Sequence, residues 1–108
     1  MGRVTADRIH KLIRSGQYVY SRHAERERQA DAIPVAELEE ALLRCEMIED
    51  YPTDPRGPSC LVLGFAGTRP IHAVCAVKES PEEVLLITVY DPSRRPAQWT
   101  DGYRRRRR

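Results

Sequence analysis

Three apolar runs in the second half of the chain, joined by very short connections, constrain the fold more than any other feature. Cys60 to Phe65, Ile71 to Val77 and Val84 to Tyr90 each have the length and composition of a strand. Ala66 to Pro70 makes the first turn and Lys78 to Glu83 the second. A parallel pair needs a crossover of about a dozen residues or more, so these runs must form an antiparallel meander. Alternation puts Ile71, Ala73, Cys75 and Val77 on one face of the middle strand, with His72, Val74, Ala76 and Lys78 on the other. On the last strand Leu85, Ile87 and Val89 share one face, and Leu86, Thr88 and Tyr90 the other. Centring the second hairpin near Pro81 sets His72 opposite Tyr90 and Val74 opposite Thr88. The purely apolar faces are expected to meet helices. That leaves an open, partly polar face carrying His72, Thr88 and Tyr90.

The first half supplies those helices. Thr5 can cap a helix running to about Ser15, with Ile9, Leu12 and Ile13 on one face and Gly16 as its stop. Tyr18 to Tyr20 is a short strand. Ser21 can then cap a second helix, Arg22 to Ala30, which contains no large apolar residue. Helices are held mostly by an apolar face, so this one is either a surface connector or a face kept polar for function. Ile33-Pro34 opens a third helix with Val35, Leu38, Leu42 and Cys45 as its buried stripe. Met47 to Tyr51 is a further strand, and Pro52 to Pro58 is a loop. The predicted class is α+β, with N-terminal helices packed on one face of a curved antiparallel sheet. Residues 1–103 form one domain, and residues 104–108 are a basic tail expected to be mobile.

Charge and cysteine content narrow the function. The net charge is +2, but five of the 18 basic residues are the run Arg104 to Arg108. Without them, 13 basic residues face 16 acidic ones, so the body is slightly acidic. Binding to nucleic acid would therefore use local patches and the tail. Cys45, Cys60 and Cys75 are odd in number and lack C-x-x-C spacing, which argues against disulfides and a zinc knuckle; Cys60 and Cys75, within apolar runs, read as buried reduced thiols, while Cys45, after a helix, could be more exposed. No run approaches the ~20 apolar residues of a membrane span, and the first residues lack the apolar core of a signal peptide. A cytoplasmic location without membrane attachment is expected.

Several motifs carry a resemblance. Tyr20-Ser21-Arg22-His23-Ala24, Ile48-Glu49-Asp50-Tyr51-Pro52, Ser59 to Gly64, Arg69 to Val74, and Ile87 to Pro92 followed by Trp99 occur in order. Together they resemble a bacterial family catalogued as domain of unknown function 4258. That family looks like a relative of small ribonucleases of the barnase, EndoU, colicin and RelE type, many of them toxins. The resemblance implies a RelE/barnase-like fold and a metal-independent RNA endonuclease. It also implies a toxin of a toxin–antitoxin pair, with RNA as substrate and a small zinc-finger antitoxin as partner. Many members carry arginines four and eight residues after the first histidine. Here those positions are Glu27 and Asp31, while Arg26 and Arg28 stand beside the first.

Metal-free RNA cleavage needs a base for the 2′-hydroxyl proton, an acid for the leaving oxygen, and cations for the phosphate. Histidine suits both proton roles. His23, in the first turn of a helix whose dipole disfavours the imidazolium, is the expected base, and His72 the expected acid, though the roles could be exchanged. Glu27, four residues after His23, can orient its imidazole or join it and His72 as a two-histidine, one-carboxylate metal set. Arg26, Arg28, Arg56 and Arg69 are candidate phosphate contacts. His23 and His72 are expected to face one cleft between the second helix and the open sheet face, with Thr88 and Tyr90 on its wall, Tyr90 as a phosphate donor or a base-stacking ring. The reading requires no cofactor, and no metal-ligand spacing such as H-E-x-x-H is present. Each of these residues has a plain structural alternative: a solvated helix-end histidine, a hydrogen-bonded core histidine, ion-paired arginines, a packed strand tyrosine. A non-catalytic RNA- or protein-binding module on the same fold is the competing function. His10 is expected to be exposed.

Overall fold

The computed structural model describes residues 4–55 and 57–107. Three helices, α1 (Ala6–Arg14), α2 (Arg22–Ala30) and α3 (Val35–Leu42), pack on one face of a five-stranded sheet. Its strands are β1 (Tyr18–Tyr20), β2 (Glu46–Tyr51), β3 (Ser59–Ala66), β4 (Arg69–Glu79) and β5 (Glu82–Tyr90), in the order β1-β5-β4-β3-β2. The chain is thus an α+β protein, and β2 to β5 form an antiparallel meander. Only β1 runs parallel to its neighbour, along Val84 to Leu86 of β5. Two 3-10 turns, Pro92–Arg94 and Pro96–Gln98, lead to a two-stranded ladder of β6 (Trp99–Thr100) and β7 (Arg105–Arg106). Among the described residues no helix is long and apolar enough to cross a membrane.

Local chemistry sets the helix ends. The side chains of Thr5 and Ser21 accept hydrogen bonds from the backbone N–H groups of Arg8 and Ala24, as N-caps should. Gly16 follows α1 with φ +73°, a left-handed stop. Ile9, Leu12, Ile13, Leu38, Ala41 and Leu42 meet Cys60, Val62, Ile71, Ala73 and Cys75 in the main core. Val35, expected in that stripe, is 40% exposed, and Ala41 takes its place. The three cysteines are free and buried, and burial pushes the Cys45 and Cys60 thiols up to about 12. His10 is half-buried rather than exposed, its Nε2 donating to the Cys45 carbonyl at 2.7 Å. A Cβ at Gly64 would come within 2.1 Å of the Ala41 carbonyl oxygen, so α3 reaches β3 this closely only because position 64 lacks a side chain.

The β4–β5 register places His72 opposite Tyr90 and Val74 opposite Thr88, as the hairpin arithmetic predicts. The faces of β5 differ from expectation. A register shift between Val74 and Cys75 pairs Cys75 with Leu86, which leaves Ile87 as an extra residue. The bulge turns Val84 and Leu86 toward the helices together with Val89, while Leu85 and Ile87 are only half-buried.

The second face of the sheet is not left open. Leu61 and Leu63 are buried there beside His72, and Trp99 caps them from the C-terminal ladder. The terminal arginines that the sequence suggests as a mobile tail are docked as far as Arg107. Arg106 makes two hydrogen bonds to Glu49, at 2.9 and 3.1 Å, and lies 4.9 Å from the Trp99 ring centre. Arg104 pairs with Glu46 at 2.7 Å, and the Arg107 backbone N–H donates to Gln98 at 2.8 Å. Arg108 lies outside the described residues.

Candidate functional site

The polar helix α2 and its two caps have a structural task on the β5 edge. β1 pairs with β5 only as far as Leu86, so the rest of that strand edge needs other partners. Helix α2 supplies them. The Ser21 N–H donates to the Leu86 carbonyl and the Ser21 hydroxyl to the Ile87 carbonyl, each at 2.8 Å. Glu27 accepts from the Val89 N–H at 3.0 Å, and Asp31 from the Asp91 N–H at 2.8 Å. The two carboxylates that stand where arginines are common thus act as the missing strand. Ala24 is the one residue of the helix in the core.

The exposed side of α2 carries His23. Its Nε2 lies 3.2 Å from Glu27 Oε1, the same oxygen that accepts from Val89. Nε2 is thus the ring nitrogen turned toward the carboxylate, and among the described residues Nδ1 has no hydrogen-bond partner. The His23 side chain is 67% exposed. Arg22 and Arg26, one turn apart, are exposed on the same helix. Beside this stripe a small cavity of about 140 Å³ is lined by Glu27, Ala30, Asp31, Tyr90, Asp91, Arg94 and Arg95. Arg94 and Arg95 come from the first 3-10 turn and the residue after it, and both are exposed, with Arg94 held only loosely by Asp31, 3.3 Å from its carbonyl and 4.0 Å from its carboxylate. Sequence reasoning passed over them because no periodic signal marks such turns.

His72 sits in a different setting. Its ring is fully buried, edge-on to Trp99 and Tyr90 with ring centres 4.3 and 5.2 Å away. Nε2 must donate to the Tyr103 carbonyl at 2.9 Å, which leaves Nδ1 to accept from the Tyr90 hydroxyl at 3.1 Å. Burial pushes its pKa down to about 4. The structure therefore does not bring His23 and His72 into one cleft. His23 stands on the α2 surface, whereas His72 is sealed beneath the C-terminal ladder on the sheet face away from the helices. Tyr90 links the two regions, since it lines the cavity and donates to His72.

The remaining candidates divide. Arg26 stays exposed near His23. Arg28 is engaged by Glu25, by the Ile33 carbonyl and by the Tyr20 ring, and it is not free to hold a phosphate. Its bonds help hold the Glu25 carboxyl down to about 2. Arg69 is similarly engaged, by Asp91, Glu37 and the carbonyls of Asp31 and Ala32. Thr88 is half-buried opposite Val74. Arg56 lies outside the described residues. Among the described residues no cluster of His, Cys, Asp or Glu is arranged to hold a metal ion.

The family model described as "Domain of unknown function (DUF4258)" matches residues 20–91, more than half of the 108-residue chain. The chain belongs to this family. The matched DUF4258 region begins at Tyr20 and ends at Asp91, so it contains the whole of α2, its β5 edge and His72. The C-terminal ladder lies beyond it. No curated protein and no solved structure matches the chain.

The sealed His72 has a thermodynamic consequence. The unfolded chain takes up a proton at this ring near pH 6.5, whereas the folded protein resists until about pH 4. Folding stability from this group is thus complete above about pH 6.5 and declines as pH falls toward 4, by on the order of 3 kcal/mol. Urea unfolding between pH 7 and 4, with ring-proton NMR of His72, checks this. A ring that titrates near 6.5 would mean that the ladder does not seal it.

Proposed function

We propose that this DUF4258 protein is a metal-independent RNA endonuclease in which the His23–Glu27 pair performs the proton transfer. The observation that carries the reading is the state of His23. It is a largely exposed imidazole whose Nε2 lies 3.2 Å from a carboxylate that is itself fixed to the Val89 backbone. A base fixed through a second group in this way is the recurring design of activated side chains.

In the proposed reaction His23 Nδ1 removes the proton from a ribose 2′-hydroxyl. The 2′-oxygen then attacks the adjacent phosphorus, and the bond to the 5′-oxygen breaks, leaving a 2′,3′-cyclic phosphate. Arg26, Arg94 and Arg95 offset the charge on the phosphoryl oxygens. The leaving oxygen takes its proton from solvent, because His72 is buried and neutral near pH 7. His72 then acts on Tyr90 rather than on the substrate. The reading extends to a cytoplasmic toxin of a toxin–antitoxin pair, with a small zinc-finger protein as partner.

The second reading, a non-catalytic RNA- or protein-binding module, is favoured by the burial of His72, which removes one of the two expected proton-transfer groups. Incubating purified protein with end-labelled single-stranded RNA in EDTA separates the two. The ribonuclease reading expects endonucleolytic fragments. Intact RNA, with and without added ribosomes, supports the binding module.

A further inference from the structure

We infer that the docked C-terminal ladder forms a second contact site for the sugar–phosphate backbone of single-stranded RNA. The inference deepens the ribonuclease reading and rests on it for the identity of the polyanion. A groove of about 700 Å³ lies between β2 and the ladder, lined by Ile48, Glu49, Thr100 and the four residues Arg104 to Arg107. The ladder turns a run of like charges into a fixed rack. Arg106 faces Trp99 and Glu49, so alternation directs Arg105 to the other side with Thr100, while the Arg107 guanidinium donates to the Trp99 carbonyl at 3.2 Å.

The acids nearby do not close this site. Glu49, which lines the groove, is taken up by Arg106, whereas Arg104 meets Glu46 and Arg105 meets Asp101 through side chains that are 43 to 78% exposed. Exposed pairs of this kind are worth only about 0–1 kcal/mol, so a phosphate can replace the carboxylate. The lining also decides the class of ligand. A protein interface would need an apolar centre, whereas here half-buried Ile48 is the only aliphatic side chain among the lining residues. With guanidinium groups and a threonine hydroxyl, the groove can track phosphates but cannot stack bases. Three strand spacings, about 14 Å, separate β5, beside His23, from β2. His23 and the ladder lie on opposite faces of the sheet, so a strand that engages both must pass around its edge and span more than this in-plane distance.

The test measures binding of a fluorescent 2′-O-methyl oligoribonucleotide, which lacks the attacking hydroxyl and cannot be cleaved by the proposed route. Arg104→Gln/Arg105→Gln/Arg107→Gln should weaken binding about tenfold or more at low salt. It should also flatten the slope of log K against log salt by about 2. Glu46→Gln should tighten binding about two- to fivefold by freeing Arg104. Cleavage of a dinucleotide should be unchanged in both variants, with only the KM for long RNA altered. Equal affinity and slope in wild type and triple variant would overturn the inference. So would poly-glutamate binding as tightly as the RNA, which would mark the groove as a protein site. If the triple variant does not fold, failure of Glu46→Gln to tighten binding overturns it alone. Binding as expected without any cleavage by wild type would sink the ribonuclease reading and leave the groove standing.

Discussion

Replacing His23 by alanine is expected to slow RNA cleavage by about 10²–10⁴-fold while the protein stays folded. The imidazole is two-thirds exposed and buries little, so its removal costs little packing. What disappears is the group that takes the 2′-hydroxyl proton. Glu27→Gln should lose less, since the amide oxygen can still accept from Val89 but no longer supports a developing imidazolium. Glu27→Ala should additionally lower stability, because the Val89 N–H would lose its partner at a partly buried edge, at a cost of about 1–3 kcal/mol. Rates on a labelled RNA, read beside circular dichroism of each variant, separate the two effects. Full activity in His23→Ala would remove this residue from the mechanism.

Trp99→Ala is expected to cost about 3 kcal/mol of stability, the lower end of the range for removing a buried aromatic ring. The ring is 4% exposed, stacked edge-on to His72 and covered by Arg106. Among the described residues its buried Nε1 has no hydrogen-bond partner, which already offsets part of the gain from burial. Against a typical total of 5–15 kcal/mol, the loss is large. A urea midpoint lowered in proportion is the expected result. An unchanged midpoint would mean that the ladder contributes nothing to the fold and that His72 is open to solvent.

The sequence was most legible where local chemistry decides the outcome. Thr5 and Ser21 announce their helices because a hydroxyl at that position satisfies a specific N–H. The short β4–β5 turn leaves so little freedom that the His72–Tyr90 pairing follows by counting. The bulge at Ile87 was not visible, since an inserted residue leaves the apolar composition of the strand unchanged. Glu27 and Asp31 were read as departures from a cationic pattern. Their partners, the N–H groups of Val89 and Asp91, lie some 60 residues away, and no spacing rule connects them. The arginine run gave the least guidance. A block of like charges is ordinarily solvated, and what docks it is a set of distant groups: Glu46, Glu49, Trp99 and the Gln98 carbonyl. The same ladder closed the face on which His72 had been expected to meet His23. The candidate site thus lies on the outer side of α2 rather than in a cleft between that helix and the open sheet face.

The most direct test uses an oligodeoxynucleotide that contains one ribonucleotide, incubated with wild-type protein in EDTA, with the ends of the products identified by mass. Because the proposed attack needs a 2′-hydroxyl at the scissile position, the account predicts a single cut immediately 3′ of the ribonucleotide. One product would then end in a 2′,3′-cyclic phosphate. Cleavage of the all-deoxy strand at the same rate, or products ending in a 3′-hydroxyl, would contradict it.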